Sequence, residues 1–273
     1  MNYMVVRGEE TKRVLLDEIA VLLLENNAIS MTGCLLSALI EKKIKVVLCD
    51  QRRSPQAELV PFYGAHNDVL KIRQQIEWDA EAKKNVWTDI VRQKIRNQAR
   101  LLSAVQKDKE SEMLRGYTEQ LQEGDLTNRE GHAAKVYFNA LFGMSFSRRD
   151  DDNVINSQLN YGYSLILSAF NREVIGNGYL TQLGLGHNNQ FNHFNLSSDL
   201  MEPFRIIVDR FVMEHPTEEF GTEEKHILAD VLNQTVVISQ TNQTVLNAIK
   251  LYTKSVLDAI QEKDIQLIKH VEI

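Results

Sequence analysis

The chain has 273 residues, 25% of them charged and 43% hydrophobic, which is enough for two domains with cores of their own and excludes a disordered chain. A formal net charge of −6 excludes a surface coated in cations for nucleic acid; it permits a local basic stripe that would hold DNA on one face, and best at low salt. No apolar run reaches the length of a membrane span and no basic-then-apolar leader opens the chain, so a cytoplasmic protein is expected. Cys34 and Cys49 lie in apolar surroundings and read as buried, reduced thiols, not as a disulfide or a metal pair.

Residues 1–64 read as strands around one helix. Tyr3-Met-Val-Val6, Arg13-Val-Leu-Leu16, Ile19-Ala-Val-Leu-Leu-Leu24 and Lys45-Val-Val-Leu-Cys-Asp50 are β runs. Met31–Lys43 has helical spacing with Thr32 as its cap. Arg52-Arg-Ser-Pro55 reads as a turn, and Leu59-Val-Pro-Phe-Tyr-Gly64 as a last strand broken by Pro61. The pattern then becomes helical over residues 68–106, with Trp87, Ile90, Val91, Ile95, Ala99 and Leu102 on one face, and this places a domain boundary near residue 75. Arg92, Arg96 and Arg100 recur every four residues with Lys94 nearby, either as a solvated cationic face or as a rail for phosphates.

Residues 108–125 are acidic and suggest a short exposed helix. Next, Thr127 or Asn128 can cap a helix that carries Glu130, Ala134 and Tyr137 on one face. Small Ala133 and Ala134 let another helix approach closely; Glu130 on such a face is unusual for a plain core, although a first-turn Glu also complements the helix dipole. Ser145–Asp150 is a polar loop holding Arg148 and Arg149, and Asn160-Tyr-Gly-Tyr163 opens an apolar helix that runs to about Val174. Residues 223–233 and 241–261 complete the helical set, with a short β-like turn at Val236–Ile238.

Residues 183–205 are the centre of the chain. Gly184 and Gly186 suit a tight loop before His187, a polar, aromatic-spaced segment follows, and Asp199-x-x-Glu202-Pro203-x-Arg205 opens an apolar helix expected from about Ser198 through Phe211. Carboxylates at i and i+3 share a helix face, so Asp199 and Glu202 can point into one volume that the loop lets His187 reach. That donor set suits a hard divalent cation with open positions. The same spacing also fits a capping box, and His187 a hydrogen-bonded core imidazole.

Set together, Asn128-Arg-Glu-Gly-His-Ala-Ala-Lys-Val-Tyr137, Leu159-Asn-Tyr-Gly-Tyr163 and Gly186–Arg205 resemble the CRISPR-associated integrase that acquires new spacers, the first-named Cas protein, in its type II-A branch. Pro61-Phe-Tyr-Gly64 and the Val86-Trp-Thr segment fit the same branch. Members of that family open with a further β segment ahead of the part matching Asn2-Tyr-Met4, so the first sheet is expected to be one segment short.

The resemblance implies an α+β chain: an N-terminal β-sheet domain, residues 1–75, for dimerisation, followed by a mainly α-helical catalytic domain, residues 76–273. Metal ligands carry over to Glu130, His187 and Glu202, with Asp199 matching a neighbouring acidic position in a supporting or second-metal role. A third candidate ligand moves the balance from capping to metal. Two carboxylates and one imidazole suit Mg²⁺ or Mn²⁺; Zn²⁺ would ask for a cysteine or a close His pair. The implied reaction is 3′-hydroxyl attack on a phosphodiester, which needs no nucleotide cofactor, and no phosphate-binding glycine loop with a lysine is present. Implied partners are double-stranded DNA (prespacer and repeat), a second copy in a homodimer, a dimer of the small second-named Cas protein and, in the type II-A branch, the RNA-guided effector nuclease and the ring-shaped accessory protein. Arg92, Arg96, Arg100, Arg148, Arg149 and Arg205 are the candidate DNA contacts. Two other readings stand beside this one: a stand-alone metal-dependent nuclease of branched DNA, and a non-catalytic helical scaffold.

Overall fold

Thr32 sits in the extended region and its side chain accepts from Leu35 N, so the first helix, α1 (Gly33–Glu41), begins where cap chemistry places it. Around it lie strands β1 (Tyr3–Arg7), β2 (Thr11–Leu15), β3 (Val21–Leu24), β4 (Lys45–Cys49) and β5 (Pro55–Leu59). This computed structural model describes residues 2–8, 10–26, 28–51, 53, 55–62 and 67–273. β1 and β2 form an antiparallel pair with Tyr3 opposite Leu15; β4 runs parallel to β3, with Val21 opposite Lys45, and antiparallel to β5, with Val46 opposite Leu59. The parallel pair requires a crossover, which α1 supplies. Met4, Leu16, Ala38, Leu39, Ile44 and Val46 form its core, each large side chain there contributing about 1.5–3 kcal/mol by leaving water.

Two sequence expectations in this unit are corrected. The last strand is Pro55–Leu59, not Leu59–Gly64: Pro55 is tolerated as the first residue of an edge strand, whereas Pro61 has no N–H to extend the ladder. Cys34 is exposed in the first turn of α1, and only Cys49 is buried. Arg52, Tyr63 and Gly64 lie outside the described residues.

Residues Met1–His66 form one compact unit and Asn67–Ile273 the other, so residue 75 lies inside the first helix of the second. That unit contains α2 (Asp68–Ile76), α3 (Ala80–Ala104), α4 (Asp108–Glu119), α5 (Arg129–Phe142), α6 (Val154–Gly176), α7 (Asn195–Met201), α8 (Arg205–Glu214) and α9 (Thr222–Ala229). After these come β6 (Thr235–Ile238), β7 (Thr241–Thr244), α10 (Val245–Glu262) and β8 (Val271–Glu272). The periodic run 68–106 is two helices: Asp79 turns the chain and accepts from Glu81 N and Ala82 N to cap α3. α6 starts at Val154, earlier than its apolar run, because Asn153 caps it. Residues 235–238 are a true strand, order β7-β6-β8, and Thr241–Thr244 is its partner, not helix. The α+β organisation expected from the sequence, strands first and a mainly helical remainder, is the observed one.

α3 is the axis of the second unit, packed against α4, α5, α7, α8 and α10. Val86, Ile90, Val91, Ile95, Ala99 and Leu102 are each at most 2% exposed. Its buried amides also work: Gln93 and Asn97 donate to Val271 O and Pro203 O at 3.0 and 3.1 Å, tying the last strand and the turn before α8 to the same helix.

Candidate active site

The expected single helix from Ser198 to Phe211 is broken at Pro203. α7 ends at Met201, Glu202–Phe204 form one tight 3₁₀ turn, and α8 starts at Arg205; Pro203 lacks the N–H that would continue the ladder. Asp199 and Glu202 are therefore not an N-cap and its N3 partner. α7 begins at Asn195 with no side-chain cap, and Asp199 lies in its last turn.

Asp199 is fully buried and its carboxylate holds the loop ahead of it. Oδ1 accepts from His187 N at 3.0 Å and meets His187 Nδ1 at 2.5 Å; Oδ2 accepts from Leu185 N at 2.5 Å and Gly186 N at 3.1 Å. Asn195 donates to Gln182 O and Asn189 O, both at 3.0 Å, and Gln75 of α2 donates to Leu180 O and Leu183 O at 2.8 and 3.1 Å. A polar loop packed against protein must satisfy its backbone groups, and three side chains do so here. The glycines serve close approach. A Cβ at Gly186 would run into the Trp87 ring, and one at Gly184 into His187 O. Trp87 also meets His187 edge-on, with ring centroids 5.6 Å apart.

His187 is thereby fixed with Nδ1 on a carboxylate and Nε2 left to act, and its side chain is 42% exposed. A carboxylate behind an imidazole is the arrangement that orients metal-ligating or proton-carrying histidines. The hydrogen bond to Asp199 raises the His187 pKa above its ordinary value against the effect of burial, and the charges of Asp199, Glu202 and Glu130 add to the rise.

Glu130 comes from the first turn of α5, whose Asn128 cap accepts from Gly131 N and whose first two backbone donors go to Asp125. Lys94 of α3 joins it to the 3₁₀ turn: Lys94 Nζ donates to Glu130 Oε1 at 2.6 Å and to Glu202 Oε2 at 2.5 Å. Arg205 Nε donates to the other oxygen, Glu202 Oε1, at 2.9 Å. Burial alone would push the Glu202 carboxyl up; Arg205 and Lys94 outweigh it and hold the group at about 2. Burial likewise opposes the Lys94 charge, and Glu202 and Glu130 more than restore it.

The structure thus brings two of the sequence-predicted ligands, Glu130 and Glu202, onto one half-buried cation, and sets His187 with Asp199 close enough for its proton affinity to feel both glutamates. Among the described residues no three His, Cys, Asp or Glu side chains stand as a ready cage for a metal. The donors still fit a hard ion: the two carboxylate oxygens are already arranged around a positive charge, no farther apart than their two bonds to Nζ laid end to end. Glu130 and Glu202 would hold a divalent ion there in place of the ammonium. Asp199, with both oxygens taken by backbone and imidazole donors, is placed to orient His187.

Sequence reasoning missed Lys94 and Asp209. Lys94 lies four residues after Ile90 and three after Val91, on the buried stripe of α3 and opposite Arg92, which was a readable signal. Asp209 is 1% exposed on α8 and accepts from the Tyr137 and Tyr163 hydroxyls; a lone Asp in Ile206-Ile-Val-Asp-Arg-Phe was its only trace. Burial pushes its carboxyl up to about 6 despite those two donors. Of the candidate DNA contacts, Arg96, Arg100 and Arg149 are exposed, Arg92 leans on Asp89 at 3.6 Å, and Arg148 and Arg205 line a cavity beside Glu202.

Comparison with known proteins bears on the family and the fold. Residues 2–250 match the family model described as CRISPR associated protein Cas1. The chain is 32% identical over 275 residues to the CRISPR-associated endonuclease Cas1 of Neisseria meningitidis serogroup C (strain 8013), covering 99% of this chain and 90% of that one. Among solved structures it resembles a casposase bound to integration product, with TM-score 0.76 and 19% identity over 94% of this chain and 83% of that one. It also resembles a chain of a Cas6-RT-Cas1–Cas2 complex, with TM-score 0.74 and 19% identity over 98% of this chain and 34% of the much longer one. Likeness at that identity speaks to the fold.

Proposed function

The chain belongs to the family of CRISPR-associated protein Cas1, and on that premise we propose that it is a metal-dependent DNA nuclease and strand transferase of CRISPR adaptation, of the type II-A branch, which inserts short duplexes into a repeat array. The observation that carries the proposal is the pair Glu130 and Glu202, delivered by separate elements onto one half-buried cation beside a histidine oriented by Asp199. Glu130, Glu202 and His187 Nε2 would hold Mg²⁺ or Mn²⁺ in place of the Lys94 ammonium. When bound, the ion polarises a phosphoryl oxygen and stabilises charge on the attacking or leaving oxygen.

The residues do the remaining work. Asp199 keeps the His187 proton on Nδ1, so that the Nε2 lone pair is left for the ion. Arg205 holds Glu202 ionised and in place. A prespacer 3′-hydroxyl oxygen bonds to the phosphorus at the repeat boundary, the repeat strand's own P–O bond breaks, and the hydroxyl proton is balanced by the one gained by the leaving oxygen. One phosphodiester is exchanged for another. Water in place of the hydroxyl gives hydrolysis, in keeping with the endonuclease named among the relatives.

Two homodimers of the chain, flanking a dimer of the small second-named Cas protein, form the proposed integration complex; the solved complex that contains both Cas1 and Cas2 supports that partner. The exposed arginines of α3 would follow the duplex backbone. The test is an integration assay with the small partner, a repeat-bearing plasmid and Mn²⁺. Glu130→Ala, His187→Ala and Glu202→Ala should each abolish joining while the circular dichroism spectrum stays that of the folded protein. A His187→Ala protein that still joins strands in a metal-dependent way contradicts the assignment.

A further inference from the structure

A cavity of about 210 Å³ opens beside Glu202, lined by Lys94, Arg148, Arg205, Phe138 and Tyr163 among others. Its charges are not equivalent. Lys94 and Arg205 are committed to Glu130 and Glu202, and the carboxylate of Asp209 in the wall is held by two tyrosine hydroxyls. Arg148 differs from these. One terminal nitrogen donates to Asn156 Oδ1, the other to Asn160 Oδ1 at 2.7 Å, and no carboxylate pairs with it among the described residues. Its guanidinium also lies over the Phe138 and Tyr163 rings, 5.9 and 5.5 Å from their centroids. Neutral amides and aromatic faces fix its orientation without cancelling its charge, which is how a protein prepares a fork for an oxyanion.

We propose that this cavity is a phosphodiester subsite, in which Arg148 grips a backbone phosphate of the DNA strand next to the scissile one and so sets which bond lies against Glu202. The inference rests on the reading of the protein as a DNA strand transferase and adds the site that fixes register. Chemistry selects a phosphate over an extruded base. The ring faces that would stack a base are covered by guanidinium groups, with Arg205 4.6 Å from the Tyr163 centroid in addition to Arg148. Arg148 is a positioning residue: it touches the flanking phosphate, not the reacting atoms.

The experiment is a coupling cycle on the full chain without divalent metal, so that chemistry does not enter. Affinity is measured by fluorescence anisotropy for a synthetic branched duplex carrying a single neutral methylphosphonate, moved one phosphate at a time along both sides of the junction. Arg148→Gln should weaken binding of the all-phosphate duplex roughly tenfold, the loss expected for one charge-assisted hydrogen-bond pair, and lower the salt slope by about one. At one position the methylphosphonate should cost the wild type the same factor and cost Arg148→Gln nothing further. Asn160→Asp, at an exposed position, sets a carboxylate on the guanidinium without removing it and should reproduce the Arg148→Gln result; Arg148→Lys should recover part of the affinity. Additive losses at every position, or unchanged affinity in Asn160→Asp, would overturn the subsite. Coupling at one position together with an active His187→Ala enzyme would keep the subsite and sink the catalytic assignment; the reverse pair of results would do the opposite.

Discussion

Asp199 and Glu202 stand three residues apart, yet they belong to regions built on opposite rules. The loop at Leu185–His187 is latched: both oxygens of a fully buried carboxylate are saturated by backbone and imidazole donors of one short segment. The Glu130–Lys94–Glu202 bridge is exchangeable. Its partners come from three separate elements, its cation sits on a flexible stem, and each oxygen facing Nζ is one a harder ion could take. A latch fixes geometry because removing it orphans several donors at once. A bridge stores a site in charge-compensated form until a competing cation arrives.

The largest expected effect comes from breaking the latch. Asp199→Asn keeps shape and volume but turns one acceptor oxygen into a donor facing Leu185 N and Gly186 N or His187 N. Disrupting a buried charged network of this kind costs about 3–5 kcal/mol, and each orphaned donor adds about 1–3 kcal/mol, so unfolding free energy should fall by roughly 5 kcal/mol. The His187 pKa should also drop towards its ordinary value, since its hydrogen bond to Asp199 is the leading cause of the rise; NMR titration of the ring reads that directly. A stable Asp199→Asn protein with an unshifted His187 would mean that the loop is held some other way.

Next in size is Lys94→Met. It leaves two glutamates facing each other around an apolar tip, a cost of about 3–4 kcal/mol without metal. If the bridge is exchangeable, Mn²⁺ should restore most of that loss, and the variant should bind Mn²⁺ more tightly than the wild type because no tethered cation competes. Thermal melts with and without Mn²⁺, together with electron paramagnetic resonance of free Mn²⁺, give both numbers. Equal metal affinity in the two proteins would return Lys94 to a purely structural ion pair.

How much of this was legible in the sequence follows the range of the forces involved. Thr32, Asn128 and the apolar stripe of α3 act within a turn or two, and they were readable. Glu130, His187 and Glu202 stood out through their residue types and the family likeness. The function of Asp199 was hidden because its partners are backbone donors set by a loop geometry that spacing does not encode. The break at Pro203 was legible in principle, but the apolar run on both sides concealed it. Lys94 was grouped with Arg92, Arg96 and Arg100 by charge, when its 3.6-residue phase placed it on the opposite, buried face.

A smaller test uses Asp209, a buried carboxylate saturated like Asp199 but by side-chain hydroxyls. Its pKa in the folded state, about 6, lies above the ordinary 3.8, so the folded protein holds the proton longer than the unfolded one. The stabilisation this gives is complete below about pH 3.8 and is lost as pH rises through 6; across that window the wild type should lose on the order of 2–3 kcal/mol from this group. Asp209→Asn cannot titrate, and its stability should be flatter between pH 4 and 7. Parallel stability curves for the two proteins would show that Asp209 is ionised throughout.

The smallest effect lies where cations are neither latched nor bridged. Arg96 and Arg100 are exposed on the outer face of α3, whereas Arg92 is partly neutralised by Asp89 at 3.6 Å. If the stripe follows a duplex backbone, each charge reversal should weaken DNA binding similarly for every sequence and lower the salt slope by about one for each phosphate no longer neutralised. Because Asp89 already draws on Arg92, Arg92→Glu should change affinity less than Arg96→Glu or Arg100→Glu, and the difference should shrink as salt screens exposed charges. Binding isotherms at several salt concentrations decide the point. Identical slopes in wild type and the triple reversal would leave the stripe a solvated face and confine DNA binding to the cavity and the bridge.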